Sequence, residues 1–92
     1  MENTKLTSGF TGGASMGTTN IKIDSSNSNY LITVYNGQNC SVCIASNYAG
    51  TPRFSIVQNV SGITYAGIEG LIGITCNEAY IYSVTKLCHL IQ

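Results

Sequence analysis

Ninety-two residues make one domain at most, and only eight are charged, four of each sign, about a third of the usual share. With net charge zero and the cations Lys5, Lys22, Arg53 and Lys86 scattered, the chain lacks the basic face that phosphate binding needs, so nucleic acid is not an expected partner. Ten Ser, ten Thr and nine Asn supply the polarity instead, groups that hydrogen-bond without ionising, so the composition favours packing over proton transfer or metal binding.

Residues 1–19 read as an extended N-terminal arm ahead of a β-rich domain spanning 20–92. Gly9, Gly12, Gly13 and Gly17 sit among Thr, Ser and Asn, and Leu6, Phe10 and Met16 are isolated apolar points. Such a stretch buries too little to order itself and must lie on something, either its own domain or a neighbour. From Ile21 the pattern is β. Ile21-Lys22-Ile23 alternates, and the polar cluster 24–29 turns. The segment 29–35 (N-Y-L-I-T-V-Y) is aromatic and β-branched, suited to a pleated surface. Asn36-Gly37 then signals a hairpin, because both residues tolerate positive φ. A two-residue turn there sets Leu31 opposite Val42 and Thr33 opposite Cys40, with Tyr30, Ile32, Val34 and Cys43 on the other face.

Residues 46–52 read as a loop ending at Pro52, which has no donor N–H. A strand follows over 53–58, a turn over 59–62 and a short strand over 63–66. Gly67, Gly70 and Gly73 recur at every third position and point to close backbone approach. Residues 71–76 and 79–86 read as a second hairpin about Asn77-Glu78. Tyr80, Val84, Leu87 and Ile91 also fit a helical stripe, but the run I-Y-S-V-T is β-branched and aromatic and favours strand. Turn signals spaced in this way predict an all-β fold, a small antiparallel sandwich or barrel-like domain.

The candidate chemistry is sparse. Cys40 and Cys43 form a C-x-x-C, but on a strand residues i and i+3 face opposite sides, so a zinc site of Cys40, Cys43, Cys76 and either Cys88 or His89 is the lesser reading. Cys76, Cys88 and His89 complete the set of soft ligands without metal-site spacing. The expected state of the thiols is buried and reduced. His89 is the only histidine, so a nucleophilic pair would have to join it to a cysteine across strands. Glu69 and Glu78 could approach each other, yet two solvated carboxylates are the simpler reading. No G-x-S-x-G elbow occurs. The stretch 12–19 (G-G-A-S-M-G-T-T) has phosphate-loop spacing but carries Thr18 where the lysine belongs. No enzyme activity, cofactor or metal is expected.

Six tyrosines offer wide contact area with a polar tip, as interfaces favour. Met1 is followed by Glu2 rather than a basic and then apolar stretch, so no secretory signal is expected. No apolar window reaches the ~18–20 residues of a membrane helix, so no membrane is expected either. A neutral β unit with a Gly/Ser/Thr arm resembles small β-rich structural proteins of bacteriophage virions, such as capsid decoration proteins and head-fibre domains. The resemblance lies in composition and layout, carries no motif, and transfers no residue roles. It implies a virion component assembled in the host cytoplasm that binds other protein subunits, its own copies or a capsid protein. Leu6, Phe10, Ile21 and Tyr48 are then the candidate interface anchors. An alternative is a carbohydrate- or receptor-binding module, such as a fibre tip, in which Tyr48, Asn47 and Arg53 contact a sugar.

Overall fold

Alternating β-branched and polar residues fold into seven strands in the computed structural model, which describes residues 3–5, 10–23, 28–37, 39–48, 51–59, 62–68 and 70–89. The strands are β1 (Asn3–Lys5), β2 (Phe10–Lys22), β3 (Ser28–Asn36), β4 (Asn39–Tyr48), β5 (Thr51–Gln58), β6 (Thr64–Ile68) and β7 (Leu71–His89). They form one open sheet in the order β1-β2-β7-β3-β4-β5, with β6 added to β7. All pairings are antiparallel except β1 with β2. The all-β architecture agrees with the sequence, and the sheet curls towards a barrel-like shape.

The curl follows from strand length. The nineteen residues of β7 would reach roughly 60 Å if straight, yet the longest dimension of the molecule is 38 Å. The strand therefore bends. It does so at 77–79, where Ser15 pairs with Tyr80 but Gly17 pairs with Cys76, so three residues of β7 face only Met16. The expected hairpin about Asn77-Glu78 is thus corrected to a bulge within one strand. The reason lies in backbone pairing: residues 71–75 find β6 and residues 81–89 find β3, while both legs share β2. Continuing the strand satisfies more backbone groups than a turn would. The Tyr80 hydroxyl pins the bend. It accepts from the Thr19 hydroxyl at 2.6 Å and shares its own proton between the carbonyls of Gly17 at 3.0 Å and Ile74 at 3.2 Å.

Bending folds the β6 end of the sheet over the β5 edge. Phe54 of β5 stacks on Tyr65 of β6 with ring centroids 5.7 Å apart. A Cβ on Gly67 would come within 2.6 Å of the Pro52 ring, so only glycine allows β6 to lie this close to β5. The close approach expected for the glycine triplet is real at Gly67 and is made within the chain, while Gly70 serves the turn between β6 and β7. Between the two layers lie Ile21, Tyr30, Ile32, Val34, Cys43, Ile72, Ile74 and Val84, all without solvent exposure.

Two further expectations need correction. The β3–β4 hairpin closes with Asn36 opposite Asn39, making Gly37 (φ +66°) the first turn residue, so Leu31 faces Ile44 and Thr33 faces Val42. The shift moves the pairing by two, which keeps every side chain on its predicted face. The loop expected over 46–52 is largely strand, with β4 running to Tyr48 and β5 starting at Thr51.

Candidate functional site

Strand parity assigns each residue of β2–β7–β3–β4–β5 to one of two faces. One face packs inward on the core. The other is built from rows of residues in register. Phe10, Thr85, Leu31, Ile44 and Ser55 form one row. Gly12, Ser83, Thr33, Val42 and Gln58 form the next, and Ala14, Ile81, Tyr35 and Cys40 the third. None of the residues in these three rows is Lys, Arg, His, Asp or Glu. Ile81 is 59% exposed, Tyr35 51% and Phe10 54%. Within the second row a hydroxyl pair joins β3 to β7, with Thr33 Oγ1 2.5 Å from Ser83 Oγ. Ser46 donates to the Asn29 side-chain oxygen at 3.0 Å at the rim, one row beyond Leu31 and Ile44. Arg53 lies opposite Ser46, so charge first appears on this face at its border.

The predicted anchors separate. Phe10 stands on this outer face, its ring close over Gly12. Tyr48 is 59% exposed at the end of β4. Ile21 is 0% exposed and packs in the chain's own core, which leaves it no surface for a neighbour. Leu6 lies outside the described residues. From Phe10 onward the expected arm is part of β2 and pairs along β7, so the expected boundary between 19 and 20 falls inside a strand. The proposed sugar-binding trio is not gathered either. Asn47 is fully buried on the inner face, while Tyr48 and Arg53 are exposed.

Reactive groups are held apart. Cys40 lies on the outer face and Cys43 on the inner, and Cys40, Cys43 and Cys76 are all free thiols. Burial pushes the Cys43 thiol up to about 11, against a weaker pull from the Ser55 backbone hydrogen bond, so it stays protonated and non-nucleophilic at neutral pH. Burial, and then the nearby Cys43, raises Tyr65 to about 12. Among the described residues no three His, Cys, Asp or Glu side chains lie close enough to hold a metal ion. Glu69 lies outside the described residues, as do the side chains of Cys88 and His89. Glu78 accepts a hydrogen bond from the Asn36 amide at 3.2 Å. No helix among the described residues is long and apolar enough to cross a membrane.

Sequence reading missed Tyr35 and Ile81 as surface residues. The signal was there: in the run 80–85 both alternate sets, Tyr80/Tyr82/Val84 and Ile81/Ser83/Thr85, are uncharged, so neither face of that strand is built for water. No protein-family model, curated protein or solved structure matches this chain.

Proposed function

We propose that this chain is a structural subunit that works by contact, assembling with other protein subunits through the outer face of its five-stranded sheet. One observation carries the reading: three in-register rows across that face hold no charged residue, and Tyr35, Ile81 and Phe10 stand half-exposed on it. Monomeric surfaces of this size ordinarily intersperse charges of both signs. An uncharged sheet face suits burial against another protein layer, because desolvating hydroxyls and apolar groups costs far less than desolvating ions. The compositional resemblance to bacteriophage decoration and head-fibre proteins supplies the setting, a virus particle.

The test is particle mass in solution, measured by sedimentation over a range of concentrations, alone and with candidate capsid particles. Assembly in the native protein that disappears in Ile81→Lys while the far-ultraviolet β signal persists is the expected result. A native protein that stays monomeric, and binds no particle, removes the proposal.

A further inference from the structure

We infer that β1 is an exchangeable strand, and that the slot beside Asn20–Lys22 of β2 accepts residues 3–5 from a second copy of this chain. The inference starts from the one parallel pairing among the described residues, Asn3 with Asn20, Thr4 with Ile21 and Lys5 with Lys22. Parallel neighbours ordinarily need a crossover of about a dozen residues or more. Here only residues 6–9 join Lys5 to Phe10. Lys5 sits beside Lys22, at the opposite end of β2 from Phe10. A straight strand would separate those ends by roughly 40 Å. Five residue steps reach at most about 18 Å. The pairing therefore closes within one chain only while β2 stays folded back at its bulge.

A strand donated by another copy is free of that restriction. The pairing itself is short, only three residues on each strand. Short, constrained connections are the usual setting for exchange between identical chains. The acceptor edge is open to such a donor: Asn20–Lys22 pair with β7 on one side, and among the described residues only β1 lies on the other. The inference takes its purpose from the assembly reading above, but it concerns a different surface, a sheet edge rather than a sheet face.

Two single variants, Lys5→Cys and Lys22→Cys, test it directly. One is isotope-labelled, and the two are mixed, incubated and oxidised. Parallel neighbours place Cα atoms about 4.8 Å apart, within the range a disulfide spans. Peptide mapping then distinguishes a 5–22 linkage from links made by native cysteines. The expected result is a 5–22 linkage joining a labelled to an unlabelled chain, in a product of twice the monomer mass. A 5–22 linkage that forms within single chains of a Lys5→Cys/Lys22→Cys double variant but not between the mixed single variants overturns the inference, and so does absence of the linkage. The pair Asn3→Cys and Asn20→Cys repeats the test should either lysine variant lose its β signal. The two readings fail separately: strand exchange is judged by the linkage, sheet-face assembly by the response to Ile81→Lys.

Discussion

The two faces of the β2–β7–β3–β4–β5 sheet are made from the same strands, and they differ only by parity. On the inner face Ile32, Val34, Cys43 and Val84 are fully buried and hold the layers together. On the outer face their neighbours Thr33, Tyr35, Val42 and Ile81 are half-buried or exposed and equally uncharged. An outer face needed only for solubility would carry Lys and Glu at some of these positions. This one does not within its three central rows, although Arg53 at its border and Lys22 show that exposed strand positions in the chain accept charge. The inner face thus accounts for stability, and the outer face is left uncharged and partly exposed.

Substitutions on the two faces should therefore behave in opposite ways. Ile32→Ala should cost about 2–5 kcal/mol, through lost transfer energy and the cavity left behind, a large part of what a domain of this size has. Urea denaturation measures it, and a loss below ~1 kcal/mol would show that the inner face is not the core. Gly67→Val should follow at about 1–3 kcal/mol, because the new side chain collides with Pro52 and forces β6 from β5. The same denaturation curve checks it, together with loss of the Phe54–Tyr65 contact by NMR.

Tyr80→Phe should cost about 1–2 kcal/mol, since it strips the bend of the hydroxyl shared by Thr19, Gly17 and Ile74. Alkaline pH adds a graded effect. Cys43 ionises near 9.0 when unfolded but at about 11 when folded, and Tyr65 near 10.0 against about 12. Below pH 9 both forms are protonated and stability is complete. As pH rises from 9 to about 11 the unfolded chain loses protons that the folded chain retains, so stability falls, and the Tyr65 loss continues to about pH 12. Cys43→Ala should flatten the first part of that decline in a series of denaturation midpoints. The smallest effect on folding belongs to the outer face. Ile81→Lys should change stability by no more than about 0.5 kcal/mol while abolishing self-association, and a large destabilisation there would erase the distinction between the faces.

Much of this was readable from residue order. The segment 29–35, the return through 45 and the strand at 53–58 announce themselves by β-branched alternation, and they appear as β3, β4 and β5. The first half of β2 does not. Its Gly, Ser and Thr carry no apolar period, and its order comes from backbone pairing with β7, a property of the partner strand. Ile21 looked like an anchor for a neighbour because it follows that polar stretch, whereas pairing with Ile72 draws it into the core. Asn77-Glu78 has the polarity of a turn, and the same polarity suits a solvent-facing bulge.

By itself, the order of residues determined that the chain is β, which residues share a face, and that charge is nearly absent from both faces. These follow from a period of two and from composition, which are local properties. Where the long strands bend, which edges stay open, and which uncharged face meets solvent were decided by tertiary structure alone. Each depends on which distant strand satisfies a given row of backbone groups, and pairings such as Ser15 with Tyr80 or Thr4 with Ile21 leave no mark on either segment taken alone.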